Sequence, residues 1–273
     1  MKYTLQSSKY VFKNFIYLFP FAILPALFFA VSTDKTAIVE VIKALTSGNI
    51  STWTFSGLFN AISILNFGSW KSILFGQTGV ILIIFCVALM MALLEKHMRI
   101  GKRTFNGLMG KLNDNFMSTL CVVLTVLVIY ELWALLLSAF LFLLSRITIV
   151  PMAYSLVILV FLAFHIFLMT SVGAIYLWLP CMQITGFRVF EALLYSYQLM
   201  SAVKWKIMLA QIGVLVVVEG LVCVCATYLV VPLAFRIVVA VLYAGVMMIY
   251  CVRMQIAYFD RDNIERADIR KYY

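Results

Sequence analysis

Long apolar runs alternate along the chain with short polar or basic stretches. Six runs reach the length of about 20 residues that an α-helix needs to cross a bilayer. They extend from about Phe15 to Ser32, Ile73 to Leu94, Met117 to Leu144, Met152 to Trp178, Ile207 to Val231 and Ile237 to Val252. Pro20 and Pro25 fall inside the first run, and their missing N–H groups predict a kink there. Pro151 and Pro232 predict the tight turns that join span three to four and span five to six, and Pro180 closes span four.

The stretch from Thr33 to Trp70 is too long to be a plain connector. Ala37, Ile38, Val41, Ile42 and Leu45 recur at helical spacing until Ser47-Gly48. A second run carries Trp53, Phe55, Leu58, Phe59, Ile62 and Leu65, with Ser56, Asn60 and Ser63 on the other face. Both predict amphipathic helices lying in the outer interface, as a cap over helix ends or a lid over a path into the bundle.

An internal similarity organises the other side. The loop before span three reads Gly101-Lys102-Arg103-Thr104-Phe105-Asn106-Gly107-Leu108, and the loop before span five reads Gly186-Phe187-Arg188-Val189-Phe190-Glu191-Ala192-Leu193. Both fit G-x-R-x-F-x-x-L, and Tyr10, Phe12 and Lys13-Asn14-Phe15 give a shorter version before span one. The pattern predicts three units, each a surface helix followed by a transmembrane hairpin. In the last unit Phe187, Phe190, Leu193, Leu194 and Tyr197 share one face, which can sink into the headgroup boundary while Lys204 and Trp205 anchor the entrance to span five.

Leu179-Pro180, Gly186, Glu191-Ala192-Leu193, Ser196, Leu199 and Trp205 resemble the pattern of a bacterial superfamily. That group includes the membrane domain attached to some glycerophosphodiester phosphodiesterases and stand-alone six-span inner-membrane proteins. The resemblance covers about 30 residues, with Tyr197 where a tryptophan is usual, and implies the fold more than an activity. No phosphodiesterase catalytic domain is read in these residues, so that activity is not expected from the resemblance.

Composition sharpens the class. Of 273 residues, 65% are apolar and 12% are charged, with a mean hydropathy of +1.06. So few charges cannot cover a water-soluble fold of this size. The six cysteines, Cys86, Cys121, Cys181, Cys223, Cys225 and Cys251, lie in or at the ends of apolar runs and read as small apolar side chains rather than a disulfide framework. The first run lacks a clear cleavage site, so no signal peptide is expected. The net charge of +10 sits in short segments beside the spans, which speaks for orientation and anionic lipid rather than nucleic acid. Sixteen of the 21 Lys and Arg residues fall on the side of the termini, including Arg270 and Lys271. That asymmetry predicts cytoplasmic N- and C-termini.

Three ionisable residues fall in the middle of spans: Glu131 in span three, His165 in span four and Glu219 in span five. Charge at the bilayer centre costs about 2.5–3.5 kcal/mol on insertion scales, so these side chains are expected to face the bundle interior. Gln211, Cys223 and Thr227 extend a polar stripe around Glu219, and Tyr154, Gly173 and Tyr176 share the face of His165. The three form a candidate midplane cluster for a cation, a proton relay or a polar substrate, against the plainer reading of interhelical hydrogen bonds. Trp205, Arg236 and Arg253 are expected as interface anchors, and Tyr258 to Asp262 as a solvated helix or docking site. No H-E-x-x-H, G-x-S-x-G or Walker A motif occurs, and no metal or cofactor is expected.

The expected fold is therefore all-α: a single polytopic bundle of six transmembrane helices in three hairpins, with amphipathic interfacial helices. The expected function is a non-enzymatic integral protein of a bacterial cytoplasmic membrane, a scaffold or lipid-interacting protein in lipid or envelope homeostasis. Its partners would be the bilayer, anionic lipids at the cytoplasmic face, and a homo-oligomeric or other membrane partner. The alternatives are a transporter for a small solute or lipid using Glu131, His165 and Glu219, and, more remotely, an intramembrane enzyme.

Overall fold

A computed structural model describes residues 2–201 and 203–269. Arg270 and Lys271, counted above in the basic tail, lie outside the described residues. The described chain is helical, without strands: α1 (Lys2–Lys13), α2 (Phe15–Ser32), α3 (Lys35–Thr46), α4 (Phe55–Ile62), α5 (Trp70–Ile100), α6 (Leu108–Leu144), α7 (Val150–Ala174), α8 (Trp178–Thr185), α9 (Val189–Ser201), α10 (Lys204–Tyr228) and α11 (Pro232–Arg261). Six segments are long and apolar enough to span a membrane: α2, α5, α6, α7 with α8, α10 and α11. The chain is a multi-pass membrane protein.

The spans pair in chain order as three hairpins, α2 with α5, α6 with α7 and α10 with α11. Neighbouring hairpins touch through α5–α6 and α7–α10, and α11 closes the ring on α2. Lys2 meets Asp260 at 3.2 Å, so the start of α1 and the end of α11 lie at the same end of the bundle. Small residues let helices approach there and elsewhere: Ala22, Ala26 and Ala30 of α2 are buried.

Polar punctuation sets the helix ends. Asp34, Thr54 and Ser69 each cap the N-terminus of the following helix with a side-chain oxygen. The two repeated loops begin alike, because Gly101 and Gly186 both end a helix with positive φ, at 76° and 72°. After that they diverge. Gly186 leads to a separate surface helix, α9, whereas residues from Leu108 run without a break into span three. The surface helix expected before that span is thus fused to it. Pro151 and Pro232 sit in the first turns of α7 and α11, where no N–H is needed.

Two further expectations are revised. Pro180 does not end the fourth span; α7 stops at Ala174 and the chain continues into the buried helix α8, with Pro180 inside it. The end of span six is not a solvated helix. Arg253 to Phe259 are all buried, with Tyr258 and Phe259 fully enclosed, under α1 and beside α8. On the outside, α9 leaves Phe190, Leu194 and Tyr197 exposed and buries Ala192, Ser196 and Met200, as a helix with one face on lipid would.

Candidate functional site

The three midplane residues do not form one cluster. His165 on α7 and Glu219 on α10 pair across the helix contact, with Nε2 3.1 Å from Oε2. His165 is buried and its Nδ1 faces the Phe161 carbonyl oxygen at 2.8 Å. That contact suits a protonated Nδ1 and turns Nε2 toward the carboxylate. The Trp133 ring stands edge-on to the imidazole at 5.0 Å and donates its indole N–H to the Phe164 carbonyl. The histidine is therefore held by α6 as well as by α10.

Glu131 has other partners. Its Oε1 accepts the backbone N–H groups of Ile64 and Leu65 at 3.1 and 3.0 Å, and its Oε2 accepts the Ser63 hydroxyl at 2.7 Å. One residue earlier, the Tyr130 hydroxyl donates to the Ile62 carbonyl at 2.8 Å. Tyr130 and Glu131 thus satisfy the backbone where α4 ends. At the other end of the same segment Arg146 donates to the carbonyls of Ser51 and Trp53. Arg146 and Tyr130 are sixteen residues apart on the α6 side, about 24 Å at helical rise.

The segment from Ser51 to Leu65 therefore runs down the side of α6 rather than lying flat across the helix ends. Ile50, Trp53 and Leu58 pack with Trp133, Leu137 and Leu141. The opposite flanks of α6 and α7 expose Leu135, Phe140, Ile158 and Leu162. From Ala44 to Trp70 the chain carries no charged residue. Irregular backbone among membrane helices persists only where protein satisfies its polar groups, and Glu131 does that here.

Inside the ring, α2, α5, α6 and α11, with Ile175 and Tyr176 between α7 and α8 and Leu179 of α8, line a half-open cavity of about 360 Å³. Its walls are aliphatic and aromatic, with Val87, Val126, Val246 and Met247 among them. The polar atoms at its edge belong to tyrosines, Tyr130, Tyr176, Tyr243 and Tyr250. Tyr176 donates to the Tyr250 carbonyl at 3.3 Å, and Tyr243 lies 3.4 Å from the Thr33 hydroxyl. His165, Glu131 and Glu219 do not line it.

Of the expected anchors, Trp205 and Arg236 are exposed near opposite ends of the α10–α11 hairpin. Arg253 is not an anchor. It is 2% exposed, and its Nε donates to the Tyr176 hydroxyl at 2.9 Å. A side chain this enclosed faces the bundle interior and not the surrounding lipid. Its burial was foreshadowed by its neighbours, since it is the one charged residue between Ile237 and Phe259. The cavity itself had a weaker signal, the spacing of Tyr243, Met247, Tyr250 and Met254 on one face of α11.

Among the described residues no three His, Cys, Asp or Glu side chains are placed to hold a metal ion. The described cysteines are free. No family model matches the chain, and no curated protein or solved structure is significantly similar to it.

Proposed function

We propose that this chain is a non-enzymatic integral protein of a bacterial cytoplasmic membrane that binds lipid within its helical ring and serves as a scaffold in lipid or envelope homeostasis. Both termini face the cytoplasm in this reading, in keeping with the excess of Lys and Arg on their side. The observation that carries it is the cavity. A space of about 360 Å³ walled by aliphatic and aromatic side chains suits a hydrocarbon chain and offers little to a polar solute. The test is photocrosslinking in membranes with a lipid that carries a diazirine on its acyl chain. Adducts on Val126, Val246 or Met247 are expected. Adducts confined to outward residues such as Leu135 and Ile158 would remove the reading.

A transporter is the second reading, and the His165–Glu219 pair favours it, because the Glu219 side chain is 34% exposed. Against it, Glu131 is committed to the backbone of the α4 segment. Single cysteines at positions 131, 165 and 219, in a chain freed of its six native ones, separate the two. Labelling by a membrane-impermeant thiol reagent at two or more positions means a water-filled path and transport. No labelling in a folded protein leaves the lipid reading in place.

A further inference from the structure

Arg253 is a buried cation with no counter-ion among the described residues. Its Nε is taken by the Tyr176 hydroxyl, and the guanidinium carbon lies 5.6 Å from the centre of that ring. Nη1 is buried with no hydrogen-bond partner. Among the described residues no carboxylate is within ion-pair distance of it. An enclosed guanidinium with an unpartnered terminal nitrogen is a costly arrangement that an anion would relieve. A carboxylate or phosphate matches the fork in geometry as well as charge.

The placement of Arg253 says what kind of anion. Arg253 does not itself line the cavity, but it sits seven residues after Val246 and three after Tyr250, beside the lining residue Met254 at the cavity's end. Its hydrogen-bond partner Tyr176 lines the cavity as well. From Pro232, at the start of α11, Arg253 is 21 residues on, about 32 Å at helical rise. That is one hydrocarbon thickness, which puts the guanidinium at headgroup level on the side of the termini. The cavity extends away from it along α11 from Met254 to Tyr243, about 17 Å. A cavity of about 360 Å³ over that length is on the scale of a single hydrocarbon chain.

We propose that Arg253 is the headgroup residue of the lipid site, holding the phosphate or carboxylate of an anionic lipid while one acyl chain of that lipid fills the cavity toward Tyr243 and Tyr130. The inference rests on the lipid-binding reading above and adds to it the charge of the ligand and the leaflet from which it enters. A membrane phospholipid and a free fatty acid share this chemistry.

The test is native mass spectrometry of the full chain in detergent with three probes: phosphatidylglycerol, phosphatidylcholine with the same chains, and palmitate. The wild type is expected to prefer the anionic probes over phosphatidylcholine by on the order of tenfold, the effect of one charge-assisted hydrogen bond. Phosphatidylglycerol outcompeting palmitate identifies a phospholipid ligand, and the reverse a fatty acid. Arg253→Gln is expected to level the preference while chain binding persists, and Arg253→Lys to keep part of it. Val246→Trp, which fills the cavity, is expected to abolish binding of all three and guards against a poorly folded Arg253 variant. Equal binding of anionic and zwitterionic probes by the wild type, or a preference that survives Arg253→Gln, overturns the role of Arg253 alone. Binding of none of the probes overturns the lipid reading with it.

Discussion

Glu131 on α6 accepts the backbone N–H of Leu65 at 3.0 Å, joining the middle of a membrane span to the end of a loop helix. Together with the Ile64 N–H and the Ser63 hydroxyl, that carboxylate takes up three donors that have few other partners at this depth. Glu131→Ala is expected to destabilise the protein by about 2–3 kcal/mol, the cost of leaving partly buried donors unpaired. Glu131→Gln, which keeps one acceptor oxygen, should lose less. Unfolding in mixed micelles gives the energies. Amide exchange at Ile64 and Leu65 localises the effect, and unchanged exchange there would refute the assignment.

The His165–Glu219 contact should register as a coupling between α7 and α10. Side-chain hydrogen bonds in membrane proteins average about 0.6 kcal/mol and reach about 1.7 kcal/mol in double-mutant cycles. A cycle of His165→Ala and Glu219→Ala is expected to give a coupling on the order of 1 kcal/mol, measured by thermal or denaturant unfolding. A coupling of zero would mean that the pair is incidental to the fold.

Close approach of α2 and α5 depends on Gly79. A Cβ there would lie 3.0 Å from the Phe29 ring, so Gly79→Val is expected to cost about 1–3 kcal/mol through overpacking. Gly245 on α11 has open space, with no heavy atom within 4 Å of a new Cβ. Gly245→Ala should leave the melting temperature unchanged or slightly raised. If both substitutions act alike, the difference in packing does not govern stability.

At the end of the bundle that carries the termini, the hydroxyls of Tyr195 and Tyr258 both reach the Asp262 carboxylate. The hydrogen bond to that carboxylate, aided by burial, pushes the Tyr195 phenol up to about 12. The folded state thus holds this proton more tightly than the unfolded one, whose tyrosines titrate near 10. The stabilisation is fully present below pH of about 10 and fades as pH rises through about 12. Stability curves of the wild type and Tyr195→Phe should therefore converge over that interval. Parallel curves would place the hydrogen bond outside the stability of the fold.

The number, order and pairing of the spans were legible because bilayer thickness imposes a length that chance apolar runs rarely reach. The start of each repeated loop was legible too, since Gly101 and Gly186 mark helix ends that favour a residue tolerant of positive φ. The path of the α4 segment was not. Its apolar and polar faces alternate equally well on a bilayer surface or along α6, and only the partners of Glu131 distinguish the two. Residues chosen for equal depth proved to serve separate contacts, because depth along a helix says nothing about which neighbour a side chain meets. Nearness to a helix end suggests an anchor at Arg253, whereas the apolar sequence around it goes with its burial.

The latch at Glu131 has a consequence for biogenesis. Leu65 precedes Glu131 by 66 residues. At about 5–20 residues per second the ribosome needs about 3–13 s to cover that distance. Both spans of the first hairpin are made before the carboxylate exists, and for that interval the Ser63–Leu65 backbone has no acceptor on α6. The first hairpin therefore enters the membrane unfinished, and the second completes it. A nascent chain halted short of Glu131 should hold α2 and α5 in the bilayer with the intervening loop still open to protease, and release of the next few dozen residues should close it.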